Sequence, residues 1–494
     1  MPWGETMVST LRRLIAALFV LTLVAAACGN SGDDDGGSDT AASDDDSSPD
    51  ETTPPDTSDP GDTTADPGTS TGDTTSDTTA GGGDGERDTF VPITGVPGVD
   101  DDAIRYASIA TKENNPLGTC IMDCYNQGID AYFAWRNSEG GIYGRDLVLA
   151  DKIDDELSNN QGRALEVIAN DDIFGAFSAT LVASGWGDLN DAGVPTYVWN
   201  IHAEESAGRP NILGQFPVTC ADCTQRGVPW AAADAGATTV ASLGYGVSEN
   251  SRICAQSLER SVNLYSEDLG LTMGYLNDNI EFGIPNGIGP EVTSMKDAGV
   301  DFIATCMDLN GMKTLAQELE RQGMGDVPMY HPNTYNQSFV AESEGLFEGD
   351  YVVAQFLPFE FETELEMQQQ FLSWMDQTGA ELSELAMTGW INADLAFQGL
   401  LAAGPEFDRQ TVLDATNTFT DYDAGGLINP IDWTRQHNPP TQDDPTNDYK
   451  VECLSPVKVQ DNTFVIVGEP EAPWLCWDNA TTDWADPTPT SFAD

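Results

Sequence analysis

Positive charge is what this 494-residue chain has least of. Twenty Lys and Arg stand against 82 Asp and Glu, for a formal net charge of -62. Phosphate binding needs Lys and Arg, so nucleic acid is excluded as a partner. Histidine is scarcer still, with His202, His331 and His437 far apart in the sequence. No H-E-x-x-H, G-x-S-x-G or G-x-x-x-x-G-K-[ST] pattern occurs, and Gly287–Ile288–Gly289 lacks the third glycine of a dinucleotide fingerprint. The chain therefore reads as a non-enzyme without cofactor. A metal bridged by His202 and His331 is the weak alternative to two ordinary hydrogen-bonding histidines. Long apolar runs are also missing. The one run of note, Leu14 to Val24, is shorter than the roughly 20 residues that span a bilayer.

That run follows Arg12 and Arg13 and leads into Ala25, Ala26, Ala27 and Cys28. A charged, an apolar and a small-residue region in this order make a secretory signal over 1–28. Cysteine after three alanines resembles a bacterial lipobox, which implies lipidation at Cys28 and anchoring to the outer side of a cell membrane. Residues 29–100 are mostly Asp, Thr, Ser, Gly and Pro, with nineteen acids against one arginine. Such a segment buries too little apolar surface to offset its ordering entropy, and reads as an acidic tether. It holds under a third of the net charge, so the globular part is itself acidic. An acidic, lysine-poor surface fits a saline habitat and a merely acidic protein equally well.

Past the tether, apolar runs of strand length alternate with helical patterns. Strands are expected at Ile104–Ala110, Leu147–Leu149, Ile173–Phe177 and Pro195–Trp199, then at Thr238–Leu243, Leu271–Leu276, Val300–Thr305 and Val327–Tyr330. Ser158 with Gln161 spells a capping box, Pro290 opens a helix, and Gly270 and Gly323 end two others. Strand–helix alternation predicts an α/β fold with parallel sheets, and two such series predict two lobes. Open α/β sheets bind ligands at the carboxyl ends of their strands. That rule selects Thr111–Asn114, Ser178–Ala179–Thr180 and Asn200–Ile201–His202 in the first series. In the second it selects Tyr245, Met307 with Asp308, and His331 to Tyr335. Hydroxyls, amides, aromatics and one acid suit a small polar or zwitterionic ligand. Asp308 also has the position of a helix N-cap before Gly311.

The most specific stretch is Ile129 to Asp155: helix, glycine turn, strand, acidic loop. Asn137, Gly140, Gly141, Ile142, Gly144 and Arg145, followed by Asp154 and Asp155, resemble the first helix–turn–strand of type I periplasmic solute-binding proteins. The likeness is to the branched-chain amino acid branch that serves ABC importers. The resemblance implies two lobes joined by three crossings, near Phe216, Phe356 and Leu427, with a ligand cleft between them. Lobe one is then 101–216 with 356–426, lobe two 217–355 with 427–480, and 481–494 a tail. It also implies that Ser178–Thr180 and Asn200–His202 hold a ligand carboxylate and amine, and that an ABC permease is the partner. A ligand sensor acting through a separate protein is the rival reading, and a hydrolytic enzyme the weaker one. Branched-chain amino acids, amides and aromatic acids all stay open as ligands.

Nine cysteines less Cys28 leave eight, an even set in an exported chain, which favours disulfides. Cys254 with Cys306, at one strand edge, and Cys453 with Cys476, flanking a hairpin at Val457–Val467, are the expected pairs. Cys120, Cys124, Cys220 and Cys223 allow three connectivities, or a tetrahedral zinc site.

Overall fold

A computed structural model describes residues 87–220, 223–331, 335–362, 364–439 and 451–492. The signal segment, Cys28 and the tether up to residue 86 lie outside the described residues. Residues 87–100, counted with the tether by composition, are packed onto the first lobe. Arg87 donates to the carbonyls of Gly141 (2.8 Å) and Arg136 (3.1 Å). The Gly98 N–H reaches the Asp171 carbonyl at 2.8 Å. Ile93, Val96 and Val99 also pack against the core, so this stretch, unlike the Asp- and Thr-rich residues before it, has apolar surface to bury.

The first lobe runs β1 (Ala103–Ala110), α1 (Met122–Ser138), β2 (Asp146–Asp154), α2 (Asn160–Ile168), β3 (Gly175–Ala179), α3 (Trp186–Asp191), β4 (Thr196–Val198), α4 (Ala203–Ser206) and β5 (Ile212–Gly214). Its five strands form an all-parallel sheet in the order β2-β1-β3-β4-β5. The Asn137–Arg145 block is the corner between α1 and β2. Asn137 pairs with the backbone of Leu147 through both ends of its amide, each bond 2.9 Å. Gly141 has φ +69°, and a Cβ there would sit 2.0 Å from the Arg145 carbonyl oxygen, so no other residue fits. Arg145 is fully buried. Its guanidinium donates to the carbonyls of Asp100 (2.6 Å), Val91 (2.8 Å) and Tyr143 (3.1 Å). The block is thus a structural corner at the start of β2, away from the carboxyl ends of the strands.

The Ser158–Gln161 capping box is not formed. Helix α2 starts at Asn160 without a side-chain cap, because Glu156 and Leu157 take positive φ and Asp155 Oδ1 captures the Leu157 N–H at 2.9 Å.

The second lobe runs α5 (Gly227–Asp234), β6 (Thr239–Tyr245), α6 (Glu249–Leu264), α7 (Ser266–Leu269), β7 (Thr272–Ile280), α8 (Gly289–Ala298), β8 (Phe302–Cys306), α9 (Leu309–Gln322), β9 (Met329–His331), α10 (Gln337–Ala341) and β10 (Tyr351–Ala354). The predicted helix ending at Gly270 is split at Tyr265 into α6 and α7. Gly270 and Gly323 do close their helices in the left-handed conformation.

The chain then returns to the first lobe with α11 (Glu366–Thr378), α12 (Glu384–Ala403) and α13 (Arg409–Thr416). Helices α1 and α12 cross backbone to backbone. A Cβ on Gly128 would lie 1.8 Å from the Ala386 carbonyl oxygen, and one on Gly389 2.1 Å from that of Tyr125. Around this crossing Trp390 stacks on Trp135, centroids 5.4 Å apart, and Tyr132 donates to buried Asp394 at 2.7 Å.

The last strands, β11 (Val451–Gln460), β12 (Thr463–Ile466), β13 (Trp474–Asp478) and β14 (Thr488–Thr490), rejoin the second lobe as antiparallel additions. Its nine-stranded sheet has the order β14-β13-β11-β10-β9-β8-β6-β7, with β12 on β11. Thr488–Thr490, within the stretch read as a C-terminal tail, is therefore the edge strand of this sheet. Arg226 holds it further, donating to Asn479 Oδ1 at 2.9 Å and to the Thr481 carbonyl.

Two of the expected crossings touch: the Leu357 N–H donates to the Leu427 carbonyl at 2.7 Å. Beyond Leu427, the Gly208 N–H donates to the His437 carbonyl (2.7 Å), and the Val218 N–H, beside the first crossing, donates to that of Gln436 (3.1 Å).

Candidate ligand-binding cleft

Parallel strands deliver their carboxyl ends to one edge of each sheet, and the loops there are short enough to hold side chains in place. In the first lobe, β1, β2 and β3 end on Thr111, Asp155 and Thr180, all fully buried. The Thr180 hydroxyl donates to Asp155 Oδ2 and lies 3.4 Å from the Thr111 hydroxyl. Those two hydroxyls in turn accept backbone N–H groups, Thr111 from Leu181 (3.1 Å) and Thr180 from Val182 (3.3 Å). Ser178 is one residue inside the strand, where its Oγ accepts the Trp186 indole N–H at 3.0 Å. Ala179 is buried and carries no polar side-chain atom. Beyond β4, Asn200 donates its amide to the Phe216 carbonyl at 2.9 Å. His202 Nε2 donates to the Thr180 carbonyl at 2.8 Å, and burial holds its imidazole below the usual histidine range. Ile201, between them, is half-buried.

In the second lobe the Tyr245 hydroxyl donates to Asp308 Oδ1 at 2.5 Å, and burial followed by that carboxylate raises the phenol well above its ordinary range. Phe282 meets the Tyr245 ring edge to face at 5.0 Å. Asp308 also caps α9, its Oδ2 accepting the N–H of Asn310 (3.0 Å) and Gly311 (3.4 Å). Tyr335 is placed differently from the other candidates. Its ring packs among Phe356, Phe359 and Phe464, and its hydroxyl accepts the Phe359 N–H (2.7 Å) and donates to Glu360. It fastens the second crossing. Glu360, which the strand-end rule does not select, lies four residues beyond Phe356, where the second crossing is expected.

The two edges approach one another. Gly118, in the loop after β1, faces Asn310 at the start of α9: a Cβ on Gly118 would lie 2.4 Å from Asn310 Nδ2. That loop is held to its own lobe by Asp154, which accepts the N–H of Lys112 and Glu113, and by the Cys120–Cys124 disulfide. The geometry is a cleft with a rigid lip.

The metal alternatives find no support. His202 is spent on Thr180, and His331 Nε2 is 2.7 Å from Asp350 Oδ2 within the second lobe. Among the described residues no group of three His, Cys, Asp or Glu is placed to hold an ion. The four cysteines of the zinc pattern are paired as Cys120–Cys124 and Cys220–Cys223, neighbours in sequence. Cys254 bonds to Cys306 and Cys453 to Cys476.

Residues 118–444 match the periplasmic binding protein family. The chain belongs to that family. Two α/β lobes around a cleft are its fold, and the chain is a solute-binding protein rather than an enzyme. Solved structures agree in fold at low identity. A branched-chain amino acid ABC transporter from Thermus thermophilus with bound valine is 16% identical, with TM-score 0.58, over 74% of this chain and 96% of that one. A fatty acid ABC transporter substrate-binding protein from Thermomonospora curvata is 17% identical, TM-score 0.58, over 81% and 95%. A solute-binding protein from R. palustris in complex with benzoate is 14% identical, TM-score 0.56, over 76% and 97%. No curated relative matches by sequence.

Proposed function

We propose that this periplasmic binding protein is the lipid-anchored, extracytoplasmic capture subunit of an ABC importer. It takes up a small amino acid or related polar metabolite between its lobes and delivers it to the permease. The observation that carries the reading is the pair of strand-end edges, Thr111–Asp155–Thr180 and Tyr245–Asp308, set in two lobes that approach at Gly118 and Asn310. Ligand contacts made only when the edges close favour the closed state, and the permease then reads that state. The fold neighbours, one with bound valine, one in complex with benzoate and one from a fatty acid transporter, support a small organic ligand with an apolar part. Half-buried Leu181 and Phe282 and exposed Val182, next to the polar edges, suit such a part.

Anchoring rests on the order of Arg12–Arg13, apolar run, alanines and Cys28. The Cys28→Ala protein is expected in the medium or periplasm instead of the membrane fraction; retention there at normal expression sinks the anchor. Capture is tested by a thermal-shift screen of amino acids, amides and aromatic acids. A ligand at a hundredfold excess over its Kd raises stability by roughly 2.7 kcal/mol. Turnover of any compound would move the protein to the enzyme reading.

A further inference from the structure

Residues 220–223 read C-A-D-C, the spacing of thiol–disulfide exchange motifs, and solute capture makes no use of it. The motif sits where the chain passes from one sheet to the other, between β5 of the first lobe and α5 of the second. Anchors lie on both sides of it. Before it, the Phe216 carbonyl accepts the Asn200 amide at 2.9 Å, and the Val218 N–H donates to the Gln436 carbonyl at 3.1 Å. After it, the Cys223 carbonyl accepts the Ser257 hydroxyl of α6, and the Gln225 N–H donates to Ser261 Oγ of the same helix at 2.9 Å. Arg226 then donates its N–H to Glu452 Oε1 on β11 at 2.7 Å. The disulfide thus ties Cys220, just past the Val218 bond, to Cys223, which α6 holds.

This disulfide also differs from the other three among the described residues in how it can be opened. Exchange needs a sulfur within reach and a partner that leaves as a thiolate, and burial in apolar surroundings disfavours the thiolate. Cys124, Cys306 and Cys476, one in each of the other disulfides, are 1%, 8% and 7% exposed. Attack on their more accessible partners has to expel a buried sulfur. Cys220 and Cys223 are both half-buried, so either can leave into solvent. Their sequence separation is 3, against 52 and 23 in the second lobe's long-range pairs, so oxidation gains less from loop closure. We propose that Cys220–Cys223 is a site of reversible thiol–disulfide exchange with an extracytoplasmic dithiol, and that its state sets the stiffness of the first crossing. The dithiol attacks one cysteine sulfur as a thiolate, and the Cys220–Cys223 bond breaks as a mixed disulfide forms. The reductant's second sulfur then displaces that cysteine. Two electrons pass to the protein, both cysteines become thiols with the two protons given up by the dithiol, and the reductant leaves as its own disulfide. Oxidised, the crossing is cross-linked between its two anchors and restrains the lobes; reduced, only the main chain joins those anchors. An effect on ligand closure rests on the solute-capture reading; the exchange and the stiffness do not.

The test uses no ligand. The full-length protein, its free thiols first blocked, is treated with dithiothreitol, and the thiols released are alkylated and located by mass spectrometry. Cys220 and Cys223 are expected to appear about tenfold faster than the cysteines of the other three disulfides. Dyes on unnatural amino acids in place of exposed Glu166 on α2 and exposed Glu320 on α9 report the interlobe distance by single-molecule energy transfer. Opening Cys220–Cys223 alone should widen that distance distribution. The Cys220→Ser, Cys223→Ser double variant should match the reduced protein and show no further widening under the same dithiothreitol treatment. Should the variant fail to fold, wild-type protein alkylated at these two cysteines alone carries the test. Release of another pair first, or of all together, overturns the exchange site. An unchanged distance distribution with this bond open overturns the hinge role. Neither result touches solute capture.

Discussion

The two lobes share an architecture and are held together by different means. The first is closed by contact. Helices α1 and α12 meet at Gly128 and Gly389, and the crossing is filled by Trp135, Trp390, Tyr132 and Phe371 around the buried Tyr132–Asp394–Tyr422 hydrogen bonds. Its one disulfide, Cys120–Cys124, closes a single turn. Among the described residues the second lobe shows no such close helix crossing and has instead two long-range disulfides. Cys254–Cys306 ties α6 to the end of β8, and Cys453–Cys476 ties β11 to β13. Packing at a helix crossing needs volume and rare glycines; a sheet widened by antiparallel edge strands has few places for it, and cross-links shrink the unfolded ensemble instead. Each lobe should therefore fail to a different insult.

The largest effect is expected from Trp390→Ala. Removing a fully buried indole stacked on Trp135 should cost about 3–5 kcal/mol. Hydrogen exchange followed by mass spectrometry should show the loss of protection centred on α1 and α12; a loss spread evenly over β6–β9 would break the contrast.

Next comes the second lobe. Cys254 and Cys306 are 52 residues apart, which on the chain-entropy argument amounts to about 4 kcal/mol. The double Cys→Ala variant should lower the denaturant midpoint and deprotect β6 and β8, while the Trp135–Trp390 near-ultraviolet signal persists. Opening Cys120–Cys124 the same way closes a far shorter loop and should cost roughly half as much.

A pH effect sharpens the comparison within the first lobe. Glu384, in the first turn of α12, is buried, and burial pushes its carboxyl up to about 8 from 4.5. A carboxyl raised in the folded state binds its proton more tightly there than when unfolded. Stability is then unpenalised below about 4.5 and falls as pH rises through about 8. Glu384→Gln, which mimics the protonated form, should leave stability near pH 4.5 unchanged and raise it by about 1–3 kcal/mol at pH 8.5. Equal gains at both pH values would show that Glu384 is not protonated in the fold. His437 works oppositely. Burial lowers it from 6.5 to about 4, so its neutral form is favoured and stability is lost as pH falls from about 6.5 towards 4.

The smallest effect is at the cleft. Asp308→Ala removes the α9 cap and the partner of Tyr245, and should cost about 1 kcal/mol of stability. Its affinity loss, measured by calorimetry with a ligand found in the screen, should exceed what that instability explains.

Much of the cleft was legible because it follows from strand ends. The alternation of apolar runs located β1, β3, β4, β6 and β8, and the rule for parallel sheets then pointed to Thr180, His202, Tyr245 and Asp308. What those side chains do was not legible. Whether a threonine hydroxyl faces a ligand or an aspartate depends on which loop lies beside it, and Asp155 reaches Thr180 only because β1 and its neighbours bring β2 and β3 to one edge. Tyr335 shows the same limit: its position at a strand end is local, its burial among Phe356, Phe359 and Phe464 is not.

By itself the sequence determined the α/β alternation, the acidic character and the Asn137–Arg145 corner, since these depend on period, composition and residues whose conformational demands are local. Glycine at 141 and the Asn137 amide would act the same way in any α–β corner of that length. Tertiary structure alone decided the order of the strands, the pairing of Cys120 with Cys124 and Cys220 with Cys223, and the close approach of α1 and α12 at Gly128 and Gly389. Each of these is a relation between residues distant in the chain or competing for one partner. Such relations are set by the packing of whole elements, which no local pattern encodes.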